Sequence, residues 1–288
     1  MSFGLQIVGC TNCGFVQTEP VPDVVLTQYY SKYYRQKWPA GAIEVWRKQS
    51  RAQARSQIEY IEEMLGSCRF STALDYGTAD GELPRLLKAR CDLLYATEAD
   101  PLYFEILEQE PWLTLLSDDE LRSNQYRGRF ELVTASHVLE HLPDPGTTLG
   151  MFAYLLAPGG ILLVDVPNEV RCLKHGFQAD GHLHFFTADH LRLLIDRDGF
   201  FDLIEIRHCN RSIEEFIASG FTMPEDYSIA KKYDGSTIRA LFRNRKHGLK
   251  EVPQSAFNEP RADLLESYAS RILDLHQRLK KTGAYFET

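Results

Sequence analysis

The sequence predicts an α/β fold, a mostly parallel seven-stranded sheet with helices on both faces. Three observations carry this expectation: short apolar runs such as Ile161–Val166, helical patterns between them, and small-residue loops where a run gives way to a helix. Nearly unbroken apolar runs fit strands buried on both faces. Strands separated by helices imply right-handed βαβ units.

Each element follows from local pattern. Ile43–Leu65 reads as an amphipathic helix, because Ile58, Ile61, Met64 and Leu65 recur at helical spacing. Ser71–Tyr76 (STALDY) is a strand that runs into a Gly-bearing loop, and Glu82–Lys88 resumes as a helix. Asp92–Thr97 is the second strand and Pro101–Glu108 the helix after it. Leu113–Leu116 and Phe130–Ala135 (FELVTA) are the third and fourth strands, followed by helix Thr147–Leu156. Ala157–Gly160 (APGG) reads as a tight turn before the fifth strand, Ile161–Val166. Thr187–Asp198 is a further helix, Phe201–Arg207 a sixth strand, and Thr237–Phe242 a seventh at the reversed edge.

The flanks differ from this middle zone. Residues 1–39 are rich in Cys, Pro and Tyr with little periodicity. Residues 246–288 begin as a polar loop and end in an expected helix, Arg261–Lys281. The expected division is therefore an N-terminal Cys/Tyr-rich segment (1–39), a central domain (40–245) and a C-terminal helical extension (246–288). That last helix would dock on its own domain or on a second subunit, which leaves a homodimer open.

Composition excludes several classes. The chain has 288 residues, 44% of them hydrophobic and 25% charged, which is ordinary for a globular protein. A formal net charge of −8 argues against a general nucleic-acid binder. The run Arg239–Lys250 (RALFRNRKHGLK) is a local basic patch, read as a solvated helix or strand end. The sequence contains no apolar stretch of the roughly 18 residues needed to cross a membrane and no basic, apolar leader, and its six cysteines are thinly spread. The expectation is a cytoplasmic protein with reduced thiols and no membrane partner.

Chemistry concentrates after the predicted strands. In Asp75-Tyr-Gly77-Thr-Ala79-Asp-Gly81-Glu82, a strand delivers an acidic residue and a loop of small residues opens a helix. Small residues let a ligand approach the backbone, and the helix start offers free N–H groups. Glu98 ends the next strand, where a carboxylate can accept both hydroxyl hydrogens of a ribose. The third signal is Phe130–Pro145 (FELVTASHVLEHLPDP) with Leu155–Asn168 (LLAPGGILLVDVPN).

In order and spacing these segments resemble the class I S-adenosylmethionine (SAM) dependent methyltransferases, over roughly residues 56–246. The resemblance implies a Rossmann-like sheet with SAM as cofactor. It implies that Asp75, Gly77, Ala79 and Gly81 line the methionine and ribose part of SAM. Glu98 would hold the ribose hydroxyls with Ala99 and Asp100 beside it. Asp118 or Asp119 would sit by the adenine amine, and Ser136 and His137 would border the cofactor. Ala79 stands where the family usually has glycine.

A narrower similarity lies at the ends. Cys10–Thr18 (CTNCGFVQT), Tyr29–Tyr34 (YYSKYY) and Asp180–Thr187 (DGHLHFFT) resemble segments of sugar-modifying C-methyltransferases that carry a zinc-binding module. Structural zinc takes four ligands, and no Cys pair precedes Cys10 in this sequence. Cys10 and Cys13 are then a relic of a zinc knuckle, half of a site completed by Cys172, His175, His208, Cys209 or another subunit, or a plain turn.

Methyl transfer from a sulfonium needs an acceptor held in line, and a base only if that acceptor must lose a proton. His141 beside Glu140 is the first candidate, with a structural, cofactor-covering role as its alternative. His182 and His184 are the second; alternation places them together on one side of an extended segment, facing the acceptor, binding a metal or capping the next helix. Tyr30 and Tyr34, within the cluster that includes Tyr29 and Tyr33, would contact substrate from a lid or simply pack. The expected function is methyl transfer to a small-molecule acceptor, with a sugar or sugar-nucleotide favoured. An O- or N-methyltransferase of another metabolite and a non-catalytic SAM-binding scaffold are the alternatives.

Overall fold

A computed structural model describes residues 7–18, 42–168, 182–197, 199–212 and 235–245. The tyrosines Tyr29, Tyr30, Tyr33 and Tyr34, the candidate ligands Cys172 and His175, and the expected helix Arg261–Lys281 lie outside them. The described chain runs β1 (Ile7–Gly9), β2 (Val16–Thr18), α1 (Ala42–Leu65), β3 (Phe70–Tyr76), α2 (Glu82–Leu87), β4 (Cys91–Thr97), α3 (Pro101–Leu107), β5 (Leu113–Leu115) and α4 (Asp118–Leu121). It continues through β6 (Phe130–Ser136), α5 (Pro145–Leu155), β7 (Leu156–Pro167), β8 (His184–Phe185), α6 (Ala188–Arg197), β9 (Phe201–Ser212) and β10 (Gly235–Asn244).

Seven strands form the central sheet in the order β5-β4-β3-β6-β7-β10-β9. The pairings from β5 to β7 are parallel, and β10 is antiparallel to both neighbours. The strand order reverses between β3 and β6, so a crevice opens at their carboxyl ends, where ligands of such sheets bind. The registers Tyr76↔Thr97 and Tyr76↔Ala135 bring the ends of β3, β4 and β6 level on that edge.

The alternation of a strand divides the core into two layers. Leu74, Val133, Ala135, Leu162 and Val164 pack with Leu149 and Phe152 of α5 and Leu191 and Ile195 of α6. Their neighbours Ala73, Leu132, Ile161 and Leu163 pack on the other face with Ile58 and Ile61 of α1, Leu87 of α2 and Leu107 of α3. Tyr76 meets Phe152 edge-on at 5.1 Å, an arrangement suited to ring quadrupoles.

Three local expectations need correction. APGG is not a turn between elements. It lies inside β7, where Phe130 pairs with Leu156 but Leu132 with Ile161, so the intervening residues bulge out around Gly159 at φ 75°. The reversed strand β10 is not outermost, because β9 pairs along its outer side and takes the edge. Arg239 belongs to no surface patch. It is fully buried, and its guanidinium forks onto Asp165 with Nε to Oδ1 and Nη2 to Oδ2 both at 2.8 Å. Gln57 Nε2 also donates to Asp165 (2.8 Å), and Arg239 Nη1 to Ser56 (2.9 Å), so α1 is tied to the sheet from within. Burial pushes the Asp165 carboxyl up, but Arg239 outweighs it and holds the group below its ordinary value.

The N-terminal segment also has structure that periodicity did not announce. β1 and β2 form a hairpin, and β8 adds a third strand through Val16↔Phe185 and Gln17↔His184. The Cys10–Cys13 turn caps this hairpin, with Gly14 N–H donating to Cys10 O (2.8 Å) and Cys10 N–H to Phe15 O (2.7 Å).

Candidate functional site

The loop after β3 is built for close approach. Gly77 and Gly81 hold φ of 75° and 74°, and Ala79 holds 51°, left-handed conformations that cost little only without a Cβ. A Cβ on Gly77 would meet Val138 Cγ2 at 2.6 Å, so this loop and the segment after β6 fit together only through a bare glycine. Gly77 N–H donates to Thr97 Oγ1 (3.0 Å) and Thr78 N–H to Thr97 O (2.9 Å), which fastens the loop to the end of β4.

Glu98 follows directly. Its Oε2 accepts from Ala79 N–H (2.6 Å) and its Oε1 from Asp100 N–H (2.7 Å). Each oxygen has a second lone pair, so the carboxylate is held in place while it can still accept from a ligand. Ala99 beside it is exposed, and Asp100 is buried and caps α3 by accepting from Leu102 N–H (2.9 Å).

Asp75 sits beneath the loop. Thr134 Oγ1 donates to its Oδ1 at 2.6 Å. Burial pushes its pKa from 3.8 up to about 6, and the Asp80 charge adds to the rise while the Thr134 hydrogen bond opposes it. Of the two aspartates in SDDE, the structure distinguishes Asp118: its Oδ2 accepts from Tyr76 OH at 3.1 Å, beside the end of β3. Ser117 caps α4 there in a reciprocal capping box with Glu120.

Ser136, at the end of β6, faces α1. Its Oγ accepts from Gln53 Nε2 (2.7 Å) and Gln57 Nε2 (2.9 Å). His137 turns the chain with φ 55°, and its N–H donates to Asp165 O (2.8 Å). The 3-10 turn Leu139–His141 then buries Glu140 completely. His137 Nδ1 lies 3.4 Å and His141 Nε2 3.8 Å from Glu140 Oε1. Burial pushes Glu140 up, and the rings of His137, His141 and His182 outweigh it, leaving the group below its ordinary value.

The two histidines of the GHLHFF segment part company. Leu183 N–H donates to Glu140 O (2.7 Å), which lays His182 against His141 with ring centroids 4.7 Å apart. His184 instead goes into an aromatic cluster, stacked on Phe15 at 5.9 Å, and burial lowers its pKa. Helix α6 is capped not by either of them but by Thr187, whose Oγ1 accepts from His190 N–H (3.3 Å). Cys10 and Cys13 stand with no third metal-ligating side chain among the described residues; Cys209 is buried in β9.

The sequence reading missed the orienting contacts: Ala79 and Asp100 on Glu98, Tyr76 on Asp118, and the Gln53–Gln57 pair on Ser136. Only the second had a trace in sequence, a tyrosine directly before the glycine loop.

The edge so built combines a glycine loop, an oriented carboxylate after the second parallel strand and an acidic residue after the third. The two carboxylates are acceptors that suit a nucleoside carrying a diol and an amine, which is what SAM presents. Residues 46–204, more than half of the chain, match the family described as "Methyltransferase domain". Among curated proteins, a ubiquinone biosynthesis O-methyltransferase of Bordetella avium is 25% identical over 127 residues, 39% of this chain and 49% of that protein. One of Aromatoleum aromaticum is 40% identical over 45 residues, 16% of this chain and 19% of that protein. The chain thus matches about half of one relative's length and a fifth of the other's. Among solved structures, a SAM-dependent methyltransferase of Thermotoga maritima, described as a possible histamine N-methyltransferase, shares the fold at a TM-score of 0.54. It is 14% identical, and the match covers 77% of this chain and all of that one. The chain belongs to the methyltransferase domain family.

Proposed function

We propose that this protein transfers the methyl group of SAM to an oxygen of a small-molecule acceptor. The observation that carries the cofactor half is Glu98, whose carboxylate is fixed by two backbone N–H groups at the carboxyl edge of the sheet. In this reading Glu98 takes the ribose hydroxyls, Asp118 the adenine amine, and the loop Asp75–Gly81 the methionine end, with Ala99, Ser136 and His137 alongside. SAM supplies an electrophilic methyl group, so the protein's part is to place the acceptor in line and exclude water.

The acceptor half is assigned to Glu140, His141 and His182. They gather two imidazoles around a buried carboxylate just past the end of β6, where an acceptor hydroxyl can be held and its proton drawn off. His184, stacked on Phe15 and beside Phe186, takes a packing role in this reading. Oxygen is favoured as the methylated atom because both curated relatives are named O-methyltransferases. A sugar or sugar-nucleotide acceptor is the second reading, resting on the Cys10–Thr18 and Asp180–Thr187 segments. Incubation with SAM and parallel panels of phenols, sugar-nucleotides and amines, followed by mass spectrometry, tests this. A gain of one methyl on an oxygen in either panel supports the reading. Transfer only to amine acceptors overturns it.

A further inference from the structure

We infer that Glu140, His141 and His182 form a binding site for one divalent transition-metal ion. The inference deepens the acceptor half of the proposed function, by naming what this cluster uses to hold an acceptor hydroxyl.

The geometry comes first. One ligand atom from each residue can be chosen so that all three lie within 4.8 Å of one another. Three such atoms lie no more than about 2.8 Å from a common centre, against bonds of about 2.1 Å to zinc, so small side-chain rotations seat an ion. Two imidazoles and a carboxylate form a donor set that catalytic zinc and related ions take, leaving positions open for water or an acceptor oxygen. Glu140 is a ligand in the interior, while His141 and His182 are only partly buried and leave a way in.

The second observation is independent. Glu140 is 0% exposed, yet neither of its carboxylate oxygens has a hydrogen-bond partner among the described residues. His137 Nδ1 and His141 Nε2, 3.4 and 3.8 Å from Oε1, stand well beyond the roughly 2.8 Å of a charge-assisted hydrogen bond. A buried carboxylate that meets its neighbours only at these long ion-pair distances is costly, and buried charges are ordinarily closely paired or bound to metal. Buried Asp165, by contrast, receives two hydrogen bonds from Arg239 and one from Gln57.

The third is how the chain assembles the set. Glu140 and His141 are adjacent on the 3-10 turn, and His182 arrives from a distant segment fixed by the Leu183 N–H to Glu140 O hydrogen bond. A main-chain bond to the very residue whose side chain is unsatisfied positions the third ligand. His137, at 3.4 Å from Glu140 Oε1, is placed to orient that carboxylate from outside the set. An ion here lowers the pKa of a bound acceptor hydroxyl, whose proton leaves to solvent.

The test uses the full chain, stripped with chelator and titrated with Co2+ while its visible absorption is followed, then with Zn2+ in competition with a chromophoric chelator. The expected result is one equivalent of ion with a nitrogen- and oxygen-ligated spectrum lacking thiolate charge transfer. His182→Ala and, separately, Glu140→Gln should weaken it by more than about 100-fold, beyond the loss of a second-shell group. The variant Cys10→Ser with Cys13→Ser should leave it unchanged. Circular dichroism verifies folding, and His141→Gln replaces any variant that does not fold. No binding by the parent chain, undiminished binding in the folded ligand variants, or a thiolate spectrum abolished in the Cys variant overturns the site. Titration with S-adenosylhomocysteine (SAH) is run in parallel: loss of the metal with SAH binding intact sinks this inference alone, and the reverse sinks the cofactor assignment alone.

Discussion

Asp75 carries a stability cost that substitution should reveal. Its carboxyl is buried under the glycine loop, and burial raises its pKa from 3.8 to about 6. Because the folded-state pKa is the higher, the folded protein binds more protons than the unfolded chain between these values. Stability therefore falls as pH rises through that window. Above pH 6 both states are ionised and the folded state bears the whole penalty, about 3 kcal/mol at 1.36 kcal/mol per pH unit. Below pH 4 both are protonated and the penalty is gone. Asp75→Asn removes the charge while Asn Oδ1 can still accept the Thr134 hydrogen bond. The variant should be more stable than the parent at pH 7 by up to about 3 kcal/mol, a rise in Tm of about 6–12 °C for a domain of this size. The difference should shrink toward zero as pH approaches 4. Differential scanning calorimetry of both proteins at pH 7, 5.5 and 4.2 measures it. An Asn variant no more stable at pH 7, or an advantage that grows on acidification, would refute the reasoning. The same variant should bind SAH more weakly, which would mark the penalty as one kept for function.

Two further substitutions probe how the edge is held. Gly77→Ala should destabilise by about 1–3 kcal/mol, because its Cβ collides with Val138 and its φ of 75° is strained; adding Val138→Ala should recover the steric part, and urea titration of the four proteins shows whether it does. Arg239→Met should cost about 3–5 kcal/mol by leaving Asp165 charged and unpaired inside the protein; a urea midpoint within error of the parent's would contradict the buried-pair assignment.

The strands were legible because burial on both faces leaves a plain apolar signal, and their ends fall within a residue or so from β3 to β6. The signal fades where pairing, not side-chain character, extends the ladder. Thus β9 continues past Arg207 through polar His208–Ser212, along the antiparallel pairing to β10. The β1–β2 hairpin escaped for a similar reason: three-residue strands are too short for a period to register. Arg239 was misread because a run of basic residues looks like surface. The clue lay in its partner, an aspartate in the midst of ILLVDV that had to find a cation. In the site, residue types and order pointed to the loop, to Glu98 and to the Glu140–His141 pair. Which of His182 and His184 joins that pair depended on β8 docking onto β2, a long-range contact that local alternation does not encode.

The edge formed by the glycine loop and Glu98 is the part of the molecule that has to hold the cofactor. The most direct measurement is calorimetric titration of SAH into the parent chain and into Glu98→Ala. One site with micromolar affinity, weakened about 10- to 100-fold when the charged acceptor is removed, is the predicted result. No heat of binding in the parent, or equal affinity in the variant, would contradict it.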